Sequence, residues 1–116
     1  MSPDDGIRVR HMLDAAEAAL RFVAGRTRAD IDRDELLVFG LVRAVEVGGE
    51  AAARVSPDGR RELSHLPWSQ IVGMRNRLVH AYFDVDRTIL WDTVTQALPD
   101  LVARIRAGLA AQGGES

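Results

Sequence analysis

Residues 71–82 read Ile71-Val72-Gly73-Met74-Arg75-Asn76-Arg77-Leu78-Val79-His80-Ala81-Tyr82, and they combine the apolar spacing of a core helix with strong polar chemistry. At about 100° per residue, one apolar stripe of such a helix holds Ile71, Met74, Leu78 and Tyr82. Arg75 projects near the middle of this arc, whereas Asn76 and His80, four residues apart, share the opposite face. An always-charged guanidinium in apolar surroundings is costly unless an anion meets it. The stretch therefore predicts a core helix whose arginine has an ionic partner or a ligand.

The rest of the chain also shows helical spacing of its apolar residues, and we find no alternating pattern typical of strands. The predicted helices run from about Asp5 to Ala24 with a stop at Gly25, from about Asp32 to Val55, from Pro67 to about Phe83, from Asp86 to Leu98, and onward from Pro99. Residues 56–59 are a strong turn signal, and residues 60–66 are predicted to form a loop. The sequence predicts an all-α fold, an antiparallel bundle of four to five helices that forms one domain over residues 1–116.

The composition is that of an ordinary globular protein, with 47% hydrophobic and 28% charged residues among 116. The net charge is only −2, so a site for a polyanion must be local. Cysteine is absent, which excludes disulfides and thiolate metal sites and fits a reducing cytosol. Because the first residues are acidic and no apolar run approaches the length of a membrane span, we expect no signal peptide, no membrane segment and a cytoplasmic location.

Arg75 and His80 suit the cleavage of a phosphodiester bond. Histidine can exchange a proton at neutral pH, and arginine can hold a phosphate through paired donors. On one helix, however, the two residues lie about 140° apart around the axis and about 7.5 Å apart along it. Two copies of the helix near a twofold axis would bring both groups to one phosphate, so we expect a homodimer. The sequence shows no compact carboxylate cluster, and no metal or other cofactor is expected.

The arrangement Arg75-x4-His80 followed by Ala81-Tyr82 resembles the R-x4-6-H signature of HEPN domains. Asn76 supplies the polar residue that follows the arginine in that signature, and the ending His-x-Tyr is similar to that of HepT-like toxins. Other stretches resemble that family in order and spacing: 49–52 in the long helix, Leu66-Pro67-Trp68, 71–77, 82–86, 91–94 and Leu98-Pro99. The resemblance spans most of the chain and is densest from Leu66 to Leu101.

This resemblance implies a HEPN-like helical homodimer with a composite site at the interface. It implies a metal-independent endoribonuclease, acting on an RNA such as tRNA or mRNA, that is the toxin of a type VII-like toxin–antitoxin pair. The implied catalytic residues are Arg75, His80 and Asn76. The implied partner is a cognate minimal nucleotidyltransferase that neutralises the toxin by adding AMP to Tyr82. That tyrosine follows Arg75 by seven residues, about two turns along the same stripe.

Simpler roles remain open for several residues. Arg75 could form an ion pair with Glu46 or Glu50, and Glu50 could at the same time support a catalytic arginine. Arg77 and Arg87 are candidates for holding RNA, although an exposed helix arginine is usually only solvated. We expect the other two histidines, His11 and His65, to have surface or packing roles. We expect core or dimer-contact roles for the aromatic residues Trp68, Phe83 and Trp91.

Two other functions are compatible with the sequence. A non-catalytic helical module could bind a nucleotide or a protein and use Arg75 only to grip a phosphate. Such a module needs neither a proton-transfer residue at His80 nor a modifiable hydroxyl at Tyr82. A purely structural assembly subunit is a third possibility, but it leaves Arg75 unexplained.

Overall fold

The computed structural model describes residues 1–81 and 84–114. Its elements, in chain order, are α1 (Pro3–Val23), α2 (Arg28–Arg33), α3 (Glu35–Ala53), α4 (Pro57–Glu62), α5 (Trp68–Leu78), β1 (Val79–Ala81), β2 (Asp84–Val85), α6 (Arg87–Asp92), a π-helical turn (Thr93–Ala97) and α7 (Leu98–Gly114). The predicted all-α, HEPN-like architecture is confirmed. No helix in the described ranges is long and apolar enough to cross a membrane.

Helices α1 and α3 form the central pair, and they run antiparallel. A Cβ built at Gly40 would lie 3.5 Å from the nearest ring carbon of Phe22. A Cβ built at Gly48 would lie 3.7 Å from the Cβ of Ala15. Early residues of α1 therefore face late residues of α3. Gly25 has a φ of 73° just after α1, so it adopts the left-handed conformation expected of the predicted stop.

The core lies between this pair, α5 and α7. Most apolar residues predicted to point inward are buried, including the α5 residues Ile71, Met74 and Leu78. The largest fully buried side chains come from all parts of the bundle: Val9, Met12, Ile31, Leu41, Leu63, Leu78, Leu90, Val94 and Ile105. Trp68 and Trp91 pack against this core, as expected. One continuous core thus fixes α5 against α3.

Two boundaries differ from prediction because side-chain caps, rather than apolar spacing, set where the helices begin. The long helix was expected to begin near Asp32, but α3 begins at Glu35 because the Asp34 carboxylate accepts a hydrogen bond from Leu37 N. The predicted turn and loop over residues 56–66 is wrong for residues 57–62. There Ser56 caps a short helix and Pro57 occupies its first turn.

The largest difference is at the end of α5. The predicted continuation of the helix through His80 is wrong, and so is the absence of strands, because α5 ends at Leu78 and β1 pairs antiparallel with β2. The predicted end near Phe83 lies outside the described residues. The main-chain N–H of Asp86 donates to the carbonyl of Leu78 at 2.7 Å. The β-branched residues Val79 and Val85 face each other in this ladder, and such residues favour strands.

The C-terminal third is one continuous helical segment. Helix α6 passes into the π-helical turn and then into α7, and Thr95 Oγ donates to the carbonyl of Trp91 at 2.7 Å. The turn ends two residues before Pro99, which has no N–H for a regular helical hydrogen bond. The prediction that Pro99 begins or kinks the final helix is therefore confirmed.

Asp5 joins the start of α1 to the start of α4. It is 5% exposed, and its carboxylate accepts hydrogen bonds from the N–H and the hydroxyl of Ser56 at 2.9 and 2.5 Å. The main-chain hydrogen bond from Ser56 is the largest cause that lowers the pKa of this carboxyl below its ordinary value of 3.8. The ionised form is thus favoured in the folded state.

We predict that Asp5→Asn lowers the melting temperature at pH 7 and that this difference shrinks in acid. Because the folded-state pKa is lowered, the stabilisation by the carboxylate is present above the unfolded-state value and is lost as pH falls through the folded-state pKa. Melting curves of both proteins between pH 7 and pH 3 measure this. A difference that stays constant over this range would contradict the assignment.

Candidate functional site

A cleft of about 420 Å³ lies between α3 and α5. Helix α3 forms one wall with Glu46, Gly49, Glu50 and Ala53. Helix α5 forms the other wall with Val72, Arg75 and Asn76. At the floor of the cleft the two helices approach closely, because a Cβ built at Gly49 lies 3.4 Å from the carbonyl oxygen of Ile71. The sequence-predicted Arg75, Asn76 and Glu50 are thus brought together.

Arg75 does not project into the core. Its side chain is 46% exposed, and its Nε lies 3.6 Å from the Oε2 of Glu46. The expectation of a guanidinium in the middle of the apolar arc is therefore wrong, because α5 turns Ile71, Met74 and Leu78 inward and leaves Arg75 at the edge facing α3. Of the two carboxylates considered for an ion pair, Glu46 is the one placed against Arg75.

Arg43, Glu46 and Glu50 of α3 form a charged cluster that includes the partner of Arg75. Arg43 Nη1 lies 2.6 Å from Glu46 Oε1 and 4.0 Å from Glu50 Oε1. Glu46 therefore lies between two guanidinium groups, and the Nε side of Arg75 faces it. Arginine binds a phosphate through paired donors, so the Arg75 guanidinium, which lines the cleft with a carboxylate beside its Nε, is a candidate phosphate ligand.

The charged groups around the cleft balance in a single protomer. Glu46 and Glu50 contribute two negative charges and Arg75 one positive charge to the lining, and Arg43 lies against both carboxylates from α3. A phosphate would therefore meet little net attraction from one protomer.

His80 lies outside the cleft lining. It belongs to β1 rather than to α5, its side chain is 52% exposed, and its Nε2 is 4.0 Å from the Oδ2 of Asp86. The expected helical pairing of Asn76 with His80 is therefore wrong, since the helix ends between them at Leu78. Asp86 accepts a hydrogen bond from Ile89 N through its other oxygen, at 2.9 Å, so it is held in place as the cap of α6.

The remaining candidates lie elsewhere. Arg77 donates to the carbonyl of Gln70 at 3.0 Å along the surface of α5, and it is not part of the cleft lining. Arg87 donates to the carbonyl of Ile31 and so joins α6 to α2. Tyr82 and Phe83 lie outside the described residues. His11 and His65 are exposed, as expected.

Sequence reasoning missed Arg43 and the second role of Asp86. Arg43 precedes Glu46 by three residues and Glu50 by seven, a spacing that places all three on one face of a helix. That spacing was a usable signal. Asp86 was recognised only as the start of a predicted helix, because its approach to His80 depends on the β1–β2 pairing. Within the described residues, no group of three or more His, Cys, Asp or Glu side chains could hold a metal ion.

Comparison with known proteins connects this arrangement to a family. The model of the family described as "Ribonuclease HepT-like" matches residues 12–107, which include both helices of the cleft and the β1–β2 pair. The chain belongs to this HepT-like family. The resemblance of the segment containing Arg75 and His80 to HEPN domains is thus confirmed at the level of the family.

Individual HepT-like relatives agree with this membership. The chain is 33% identical over 98 residues to "Putative RNase TTE0752" of Caldanaerobacter subterraneus subsp. tengcongensis, which covers 84% of this chain and 88% of that protein. It is 40% identical over 68 residues to "Probable ribonuclease HepT" of Thermococcus cleftensis, with 59% of this chain and 62% of that protein covered. No solved structure gives a significant match.

We predict that Glu46→Ala increases the motion of the Arg75 guanidinium in the HepT-like cleft, because the Nε–H loses the carboxylate that faces it. The NMR order parameter of the Arg75 Nε–H should fall, while the melting temperature changes little, since an exposed ion pair contributes about 1 kcal/mol or less. Glu35→Ala, in the first turn of α3, is the matched control. An unchanged order parameter in Glu46→Ala would show that Glu46 does not hold Arg75.

Proposed function

We propose that this HepT-like protein is a metal-independent endoribonuclease and the toxin of a type VII-like toxin–antitoxin system in the cytoplasm, with residues 1–116 forming one catalytic domain. The observation that carries the proposal is the position of Arg75. It lies beside Asn76 in a cleft that is open to a large ligand, and Glu46 faces one side of its guanidinium. The names of the relatives as RNases and the family description support RNA as the substrate.

The proposed reaction is an internal transesterification. The ribose 2′-oxygen attacks the adjacent phosphorus, the new O2′–P bond forms, and the P–O5′ bond breaks to give a 2′,3′-cyclic phosphate and a 5′-hydroxyl. One His80 removes the proton of the 2′-hydroxyl, and a second His80 protonates the departing O5′. Arg75 stabilises the negative charge that grows on the phosphoryl oxygens, and Asn76 donates a hydrogen bond to the same group.

Two protomers are needed for this scheme. Arg75 and His80 stand on different elements, and His80 does not line the cleft of its own protomer. A second copy would supply the second imidazole and a second Arg75, which raises the positive charge around the phosphate. We therefore propose that the active form is a homodimer with a composite site.

Glu50 and Arg77 have supporting roles in this proposal. Glu50 is 59% exposed at the rim of the cleft, where its carboxylate can accept hydrogen bonds from a ribose hydroxyl or a base amino group. Arg77 is exposed on α5 and can contact the RNA backbone beyond the cleft. The RNA is of the tRNA or mRNA class.

A non-catalytic nucleotide-binding or protein-binding module is the second candidate. The separation of His80 from the Arg75 cleft favours it, because binding needs only the arginine. The two functions differ in one property: a binding module holds RNA through Arg75 and leaves every phosphodiester bond intact.

We predict that the wild type cleaves RNA in the presence of EDTA and that Arg75→Ala and His80→Ala each lose at least about 100-fold in rate, as expected for loss of charge stabilisation or proton transfer. His65→Ala is the control, since His65 is an exposed histidine on another part of the surface. The products should carry 2′,3′-cyclic phosphate and 5′-hydroxyl ends. Binding of RNA without any cleavage by the wild type would favour the binding module instead.

We also propose that a cognate nucleotidyltransferase silences the protein by transferring AMP to Tyr82. The α-phosphorus of ATP would form a bond to the phenolic oxygen, with pyrophosphate leaving and the phenolic proton passing to solvent. Tyr82 follows His80 by two positions and is the only tyrosine in the chain. An anionic nucleotide attached there would compete with RNA for the arginine.

We predict that Tyr82→Phe retains ribonuclease activity and toxicity but escapes silencing. Intact-protein mass spectrometry after incubation with the nucleotidyltransferase and ATP should show added AMP units on the wild type and none on the variant. Because the variant has no tyrosine, AMP found on it would show that another residue is modified.

A further inference from the structure

Asp86 is held by the main chain on three sides. Its N–H donates to the carbonyl of Leu78 at 2.7 Å, and its own carbonyl accepts from the N–H of Leu90 at 2.9 Å. Its Oδ1 accepts from the N–H of Ile89 at 2.9 Å, which makes Asp86 the N-cap of α6. Three of its four polar groups are therefore in use. In the described part of the chain, the fourth group, Oδ2, faces the Nε2 of His80 at 4.0 Å.

His80 is the extra residue of a β-bulge. Val79 pairs with Val85 and Ala81 pairs with Asp84, so two steps along β1 match one step along β2. His80 lies between these pairs and has no residue opposite it in the ladder. A bulge redirects the side chain at its position and is common next to active sites. Here it brings the imidazole to the carboxylate that caps α6.

The carboxylate is the fixed member of this pair. Its Oδ1 is bound by the cap, and the start of α6 is held a second time because Arg87 donates to the carbonyl of Ile31. The imidazole of His80 is 52% exposed and has room to turn. A turn of the ring or one bridging water closes a gap of 4.0 Å, and catalytic contacts often tighten only when substrate binds. Asp86 thus provides the anchor that orients the ring.

We propose that Asp86 is a positioning residue for His80 and that it gives the two ring nitrogens different tasks. A carboxylate beside Nε2 favours the neutral tautomer with its proton on Nε2, because that N–H can donate to the anion. The lone pair of the neutral ring then lies on Nδ1. Nδ1 is therefore the nitrogen that exchanges protons with RNA.

This proposal rests on the proposed ribonuclease function and names the atom that performs its proton transfers. In the base role, Nδ1 takes the proton of the 2′-hydroxyl, and the ring becomes an imidazolium with one proton on each nitrogen. In the acid role, the imidazolium of the second copy releases its Nδ1 proton to O5′. Asp86 stays ionised in both steps and stabilises the imidazolium that faces it.

Asp86 also relates His80 to Arg75. Leu78, whose carbonyl accepts from the Asp86 N–H, is the last residue of α5, and its side chain is fully buried. Arg75 lies three residues earlier, about one turn back along the same helix. The residue that orients the imidazole is thus bound to the end of the helix that carries the guanidinium.

Two substitutions separate the cap from the anion. Asp86→Ser keeps a favourable N-cap and removes the carboxylate, whereas Asp86→Glu keeps a carboxylate on a residue that is not among the preferred N-caps. The serine variant should melt close to the wild type but lose about 10- to 100-fold in kcat with little change in KM, the range typical of residues that orient a functional histidine. The glutamate variant should melt at a lower temperature and retain more of the wild-type kcat than the serine variant.

Asp84→Ser is the matched control, because it removes an exposed carboxylate from the same pair of strands. It should cleave RNA at the wild-type rate.

The second readout is the imidazole itself, observed without RNA. At about pH 8.5, where a free imidazole is neutral, two-bond ¹H–¹⁵N correlation spectra of the wild type should show the His80 proton on Nε2. In Asp86→Ser the ring should change to the tautomer mixture of His11, an exposed histidine on α1 that serves as the internal reference. A residue that only caps α6 would leave the His80 spectrum unchanged when serine replaces it.

A wild-type His80 with its proton on Nδ1, or an Asp86→Ser variant that cleaves RNA at the wild-type rate, would overturn the role of Asp86. Cleavage that is lost in Arg75→Ala would then leave the ribonuclease proposal standing. A glutamate variant less active than the serine variant would also overturn the role of Asp86. A folded wild type that cleaves no RNA would overturn the ribonuclease function and, with it, this role.

Discussion

The close approach of α3 and α5 at Gly49 is the constraint on which the site depends. With no side chain at this position, the main chain of α5 comes within van der Waals distance of α3, and a Cβ there would already touch the carbonyl of Ile71 at 3.4 Å. At this separation of the helices, the side chains of Glu46 and Arg75 are long enough to form an ion pair, with Nε and Oε2 3.6 Å apart. A bulkier residue would separate the helices and remove the guanidinium from its carboxylate.

The helical bundle could be predicted from the sequence because its signals are local. Apolar spacing located α1, α3, α5 and α7. Gly25 correctly marked the end of α1, and Pro99 correctly marked the beginning of α7. The short helix α4 and the β1–β2 pair were missed, since contacts outside their own segments support them. Ser56 is held by Asp5, and the main chain of Leu78 is met by Asp86. Periodicity alone carries no information about such contacts.

The site could be predicted in composition but not in arrangement. Arg75, Asn76 and Glu50 line one cleft, as a polar cluster in a core segment suggested. The break of the helix at Leu78 moves His80 onto a different element, and this changes the chemistry expected of one protomer. An arginine in the cleft and a histidine outside it do not form a complete catalytic centre. The proposal of a composite site shared by two protomers responds to that deficit.

The two oxygens of Asp86 serve different parts of the molecule, and this has a consequence for its tolerance to change. One oxygen caps α6, while the other lies 4.0 Å from the imidazole of His80. Asparagine or serine would satisfy the helix terminus equally well but would no longer offer an anion to the ring. Natural selection acting on architecture alone would accept any of the three, whereas selection on chemistry would accept only the acid. The identity of this single residue in a lineage would therefore report which of the two pressures has persisted there.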